Sequence, residues 1–333
     1  MAPPVRQDDD ATTPAAPSRL RLVRLRLDDG TRDLVLKELT ARLVESVLDS
    51  DDDEAVLAHI GAYVLRSHLP GQLLDSLRLF PATGCHALVL GNLPVQEFGP
   101  TPVSGFGDEP SLSVVNALHF GLIQLLGVTP FAVSYENHGR LIRNVVPNPA
   151  AAGTTSSWGA DSEFFWHTDN PHLPFGTGGS DPRRFVPQYL TFYTVRNEER
   201  VPTEITAVED AVEALSPEQL RRLEQPHFAV GAPDSNDFDA SPQLLDEIPI
   251  FERDPSGQHQ VRYDRGTARG LSPHAAGGLT QFSDALSRVP STDITLASGD
   301  FLIFDNYRVL HRRRAFEPGP AATARWLRRC YAS

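Results

Sequence analysis

The sequence predicts an α+β protein, helical up to about residue 130 and built from strands after it. Two textures carry that prediction. Leucines and valines recur at three- and four-residue spacing in the first part, the period of one helix face. Beyond residue 130, short apolar or alternating runs are broken by Gly, Pro, Asn and Asp, as in a sandwich or barrel. A third observation locates the chemistry: the most specific histidine and aspartate motifs all fall in the strand-rich part.

The elements follow in order. Residues 1–18 are rich in Pro, Ala, Asp and Thr and carry no apolar stretch. They read as a disordered tail and not as a secretory signal. Residues 19–333 read as one domain, within the range for that length. Leu20, Leu22, Leu25 and Leu27 give an alternating first strand over 19–28. Helices are expected over 33–48 and 54–67, with the acidic run Asp49 to Glu54 as a solvated loop and cap between them. A short helix follows at 71–79, an apolar strand at 85–93 and an apolar helix at 111–126. Strands are then expected at 131–135, 141–146, 188–195, 226–230, 247–251, 259–264, 293–297, 300–305 and 325–331. Two helices interrupt them, at 207–223 and 275–288.

Composition excludes several classes. No run of about 18 apolar residues exists, so no membrane span is expected. The net charge of −13 leaves no basic face for nucleic acid. Cys85 and Cys330 are too few for a disulfide framework or a thiolate zinc site, which suits a reducing cytoplasm. Lys37 is the only lysine, on a predicted helix among charged residues, where a solvated role is expected. No sequence feature specifies an oligomeric state.

The sharpest segment is Phe164-Phe165-Trp166-His167-Thr168-Asp169-Asn170. On an extended strand, alternate residues share a face, so His167 and Asp169 can grip one ion. A second segment runs from Gly299 through the apolar 301–304, a turn at Asp305-Asn306, and Val309-Leu310 to His311, at the end of a short strand. Two histidines and one carboxylate with open coordination positions suit iron(II) oxygenases. Arg325, 14 residues past His311 on a terminal strand, is placed to pair with the distal carboxylate of a chelating 2-oxoglutarate.

From Tyr135 onward the chain resembles the clavaminate synthase-like iron(II)/2-oxoglutarate oxygenases, which include hydroxylases of free arginine and asparagine. The resemblance covers Gly139-Arg140-Leu141-Ile142 through Val146-Pro147, Trp166 to Asp169, Pro187 to Leu190, Arg262-Tyr263-Asp264, Gly299 to His311, and Arg325. It implies a double-stranded β-helix, or jelly roll, with flanking helices. It implies His167, Asp169 and His311 as iron ligands, with Arg325 and Thr203 binding 2-oxoglutarate and O2 as oxidant. It implies that Arg329 binds a substrate carboxylate and that Glu136 and Asp264 line the substrate pocket. The substrate implied is a free amino acid or related small polar molecule of specialised metabolism. Asp169 stands where many amino-acid hydroxylases of the group carry Glu; an aspartate ligand argues against a halogenase, in which chloride replaces the carboxylate.

The remaining motifs read more plainly. His172 is a loop histidine lining the pocket. Arg312-Arg313-Arg314 alternates between faces and reads as a solvated edge. Gly176 to Ser180 lacks the lysine and helix of a phosphate loop and reads as a flexible insertion. Desaturation, cyclisation or epimerisation are the alternatives within the same chemistry, and a non-catalytic metal-dependent binding protein is the alternative outside it.

Overall fold

A computed structural model describes residues 17–45, 53–105, 107, 109–148, 160, 162–176, 181–233 and 245–333. The chain runs β1 (Leu22–Arg26), α1 (Asp29–Glu45), α2 (Asp53–His68), α3 (Gly71–Leu79), β2 (Ala87–Gly91) and α4 (Ser113–Leu126). Then come β3 (Pro130–Phe131), β4 (Arg143–Val145), β5 (Phe164–His167), β6 (Tyr189–Arg196), β7 (Thr203–Ala207), α5 (Val208–Glu213) and α6 (Pro217–Leu223). The last part comprises β8 (Phe228–Val230), β9 (Leu245–Ile248), β10 (Phe251–Arg253), β11 (His259–Val261), β12 (Ala268–Gly270) and α7 (Pro273–Leu286). It closes with β13 (Thr292–Ile294), β14 (Phe301–Asp305), β15 (Val309–Arg313) and β16 (Trp326–Ala332).

The larger sheet has the order β1-β2-β14-β6-β16-β3, with β4 also paired to β16. A four-stranded sheet has the order β13-β7-β15-β5. Period-two alternation explains how the larger sheet is buried on both faces. Phe301 and Ile303 of β14 join Leu88, Leu90 and Tyr193 in a core with the helices. Leu302 and Phe304 point the other way and pack with Ile205, Ile294 and Val309 of the smaller sheet.

Helix α4 is apolar almost all round because it is enclosed by α2 and the larger sheet. Its crossing with α2 depends on two glycines. A Cβ on Gly61 would meet the Ala117 carbonyl oxygen at 1.7 Å, and one on Gly121 would meet the Ala62 nitrogen at 2.6 Å. Backbone atoms cannot rotate away, so Gly61→Ala must separate the helices. The expected loss is about 3 kcal/mol or more, at the upper end for overpacking, read as a lower urea midpoint with unchanged slope.

Several sequence expectations shift in detail. Ser18 does not belong to a free tail: its hydroxyl donates to Asp210 Oδ2 at 2.9 Å and the Arg19 N–H to Oδ1 at 2.8 Å. Residues 1–16, 46–52 and 177–180 lie outside the described residues, and with them most of the tail, the acidic run and the glycine-rich insertion. Asp53 and Glu54 are the first turn of α2, where carboxylates favour the positive end of the helix. The single helix expected over 207–223 is two. Pro217 cannot extend the preceding helix, and Ser216 opens α6 with a capping box to Gln219. Among the described residues, no helix is long and apolar enough to cross a membrane.

Candidate active site

The antiparallel register of β15 against β5 sets His311 directly opposite His167. Their ring centroids lie 4.0 Å apart. His311 stands in the middle of β15 rather than at its end. The His167 Nδ1 lies 2.7 Å from the Phe165 carbonyl oxygen. A carbonyl only accepts, so Nδ1 donates, and in the neutral ring Nε2 keeps its lone pair. That Nε2 is buried and has no hydrogen-bond partner among the described residues.

Asp169 completes the group by a different route from the one the strand pattern suggests. β5 ends at His167, so alternation does not aim Asp169. The chain turns there, with Asn170 at φ 51°. Asp169 Oδ1 lies 3.5 Å from His167 Nε2 and 3.3 Å from His311 Nε2. The three candidate ligand atoms lie within 4.8 Å of one another, the one such cluster among the described residues. Burial, then the neighbouring His167, pulls the His311 imidazole down to about 4, so its lone pair is available at neutral pH. Burial opposes ionisation of Asp169, but the Arg329 guanidinium and the two histidines hold the carboxyl well below its usual range. Two imidazoles and a carboxylate on one side, with the orphaned Nε2 between them, fit a divalent metal of the iron(II) type.

A second charged layer backs this cluster. Arg329 on β16 donates to Asp169 Oδ2 at 2.8 Å and also to Glu136. Glu136 further accepts from Arg143, and the Tyr331 hydroxyl lies 2.8 Å from its Oε2 and 3.1 Å from Asp169 Oδ2. Glu136 is thus a buried, fully engaged carboxylate. Burial works against its charge, and Arg329 and Arg143 hold it ionised. Asp264 faces His167 from the opposite side, through an isolated bridge between the two backbones. Its Oδ1 accepts from the Gly266 N–H at 2.7 Å.

The cavity over these groups is about 140 Å³, roughly ten times what one water needs, so it holds a small molecule. Thr203, Arg313 and Arg325 line part of its wall, and Glu136, Asp264 and Arg329 also line it. Arg325 precedes β16 rather than lying within it. Its side chain is buried, and its guanidinium makes no hydrogen bond among the described residues. Burial and then the nearby Arg313 pull it down to about 9, against the attraction of Glu199. A buried cation in this condition is a receptor for an anion.

Arg313 corrects the reading of 312–314 as a solvated edge. Alternation along β15 sends Arg313 to the same side as His311, where it is buried and donates to the Ala160 carbonyl at 3.2 Å. Arg312 turns outward to Glu204 and lies over the Trp166 ring at 4.6 Å. His172 is fully buried, its ring 6.1 Å from Tyr135, and it stands outside the three-residue cluster.

The family model described as "Taurine catabolism dioxygenase TauD, TfdA family" matches residues 95–331. The chain is 24% identical over 327 residues to enduracididine beta-hydroxylase of Streptomyces hygroscopicus, covering 91% of each. It is 24% identical over 312 residues to L-lysine 3-hydroxylase of Catenulispora acidiphila, covering 90% of this chain and 83% of that one. Asparagine oxygenase, solved with Fe(II), 3-hydroxyasparagine and succinate, superimposes with a TM-score of 0.76 at 21% identity, covering 92% of both chains. The non-heme iron oxygenase OrfP, solved with Fe and alpha-ketoglutaric acid, gives 0.72 at 23%, covering 92% of this chain and 93% of that one. The chain therefore belongs to the TauD/TfdA dioxygenase family.

Proposed function

We propose that the protein is an iron(II)- and 2-oxoglutarate-dependent hydroxylase of a free amino acid, with His167, Asp169 and His311 holding the iron. The observation that carries this reading is the buried Arg325, whose guanidinium has no hydrogen-bond partner among the described residues, in the same cavity as the triad. Arg325 and Thr203 would hold the distal carboxylate of 2-oxoglutarate. Iron and the keto acid together supply the O2 activation needed to oxidise an unactivated C–H bond. The chain's own residues do the rest. His167 and His311 present imidazole nitrogens, Asp169 offers one negative charge, and the buried walls exclude water.

Arg329 and Glu136 line the same cavity already paired with each other, so they would meet the carboxylate and amine of an amino acid by exchanging that pairing. Asp264, half-buried at the cavity and close to His167, suits a cationic side chain, in keeping with the lysine hydroxylase among the relatives. The two stacked sheets are read as a jelly roll, and residues 19–333 as one domain. The cytoplasm is the proposed compartment, in keeping with the free thiols Cys85 and Cys330.

The test is anaerobic addition of iron(II) and 2-oxoglutarate, then O2 and a panel of amino acids that includes lysine and arginine. The expected result is succinate formation stimulated by one of them, with a product 16 Da heavier. A visible chelate band without stimulated succinate moves the substrate outside free amino acids. Absence of both the band and succinate overturns the reading.

A further inference from the structure

Asp169 stands in a turn, so something other than strand geometry must hold its carboxylate between the two histidines. The buried side chain of Asn306 does this on the main chain. Its Oδ1 accepts from the Asp169 N–H at 2.9 Å, and its Nδ2 donates to the Asp169 carbonyl at 3.1 Å. The same Nδ2 donates to the Pro187 carbonyl at 3.0 Å, and the Asn306 N–H to the Gln188 carbonyl at 2.7 Å. Asn306 is 0% exposed. Both backbone poles of one residue are therefore held by one amide, which is itself tied to Pro187 and Gln188, the segment that leads into β6.

The placement of this amide matters. Asn306 occupies the turn between β14 and β15, five residues before His311. It joins the segment that carries His311 to the turn that carries Asp169, 137 residues away. The residue before Asp169 is tied separately: the Thr168 N–H donates to the Tyr263 carbonyl at 2.8 Å. With the backbone set, Arg329 and Tyr331 occupy the Oδ2 side, and Oδ1 is left facing both imidazoles.

We propose that Asn306 is a positioning residue for the metal site: by holding both backbone poles of Asp169 it presents Oδ1, and Oδ1 alone, to the ion. The inference rests on the metal reading of the triad given above. Groups that orient metal ligands commonly account for roughly 10- to 100-fold in metal affinity. A purely structural amide would change stability and leave affinity alone.

Asn197 supplies a matched comparison. Its Oδ1 accepts from the Val201 N–H at 3.0 Å, and its Nδ2 donates to the carbonyls of Val201 at 3.0 Å and Leu296 at 2.9 Å. It makes the same three kinds of bond, in a loop that carries none of the triad. The experiment is Co(II) titration of the full chain, followed by calorimetry and by the visible d–d bands, for the wild type, Asn306→Ala and Asn197→Ala. Asn306→Ala is expected to weaken Co(II) by roughly 10- to 100-fold and to shift the bands. Asn197→Ala is expected to lower the melting temperature and keep the wild-type affinity and spectrum. Should Asn306→Ala fail to fold, Asn306→Asp keeps the acceptor for the Asp169 N–H, loses both donors, and is expected to bind Co(II) more weakly than wild type. Wild-type affinity and bands in the Asn306 variant would overturn the positioning role alone. Failure of the wild type to bind Co(II) would overturn the metal reading with it.

Discussion

His167→Ala is expected to abolish turnover and to weaken divalent metal binding by more than about 100-fold, beyond what loss of an orienting group costs. The size follows from the donor count. Among the described residues, three side chains offer ligand atoms within reach of one another, and removal of His167 leaves a single imidazole and one carboxylate. No described neighbour replaces it: His172, the next histidine along the chain, lies outside the cluster beside Tyr135. His172→Ala is therefore the informative companion. It removes a buried imidazole three residues from Asp169 and should leave metal affinity intact. The measurement is competition with a chromophoric chelator. Wild-type affinity in His167→Ala would remove the triad assignment, and equal losses in both variants would mean that local collapse, not ligand loss, had been measured.

The sequence disclosed which residues meet more fully than it disclosed how they are held. The apolar run 301–304 was legible as a strand because a segment buried on both faces must be apolar throughout. The break between α5 and α6 has a local signature too, in Ser216-Pro217-Glu218-Gln219. The motif around His167 contains two members of the cluster, yet alternation does not aim Asp169, because β5 stops two residues short. What aims that carboxylate is an amide 137 residues away and an arginine 160 residues away. Contacts across such separations follow from the sheet topology and leave no local pattern in the sequence. Arg313 was within reach of local reasoning, since it stands two residues past His311 on one strand face. Alternation sends the three arginines to opposite faces, and one of those faces is the buried one that His311 shares with Arg313. The Glu136–Arg329 pair, 193 residues apart, had no sequence signal beyond family resemblance.

Arg325 supports a prediction in which two measurements move in opposite directions. Replacing it with leucine is expected to raise the KM for 2-oxoglutarate by roughly 30- to 1000-fold, the equivalent of about 2–4 kcal/mol for a buried charge-assisted pair. The same substitution should leave the ligand-free protein as stable as the wild type or more so. The guanidinium is buried, lacks a hydrogen bond among the described residues, and lies near a second buried cation, Arg313. The attraction of Glu199 offsets only part of the desolvation cost of such a group until an anion arrives, and an apolar replacement removes that cost. In the wild type, 2-oxoglutarate should raise the melting temperature by linkage, since it binds the folded state alone. In Arg325→Leu the ligand-free melting temperature should not fall, and the ligand-induced rise should vanish. A lower ligand-free melting temperature together with an unchanged KM would mark Arg325 as a structural cation and move the co-substrate's distal carboxylate elsewhere, with Arg313 the remaining buried guanidinium beside it.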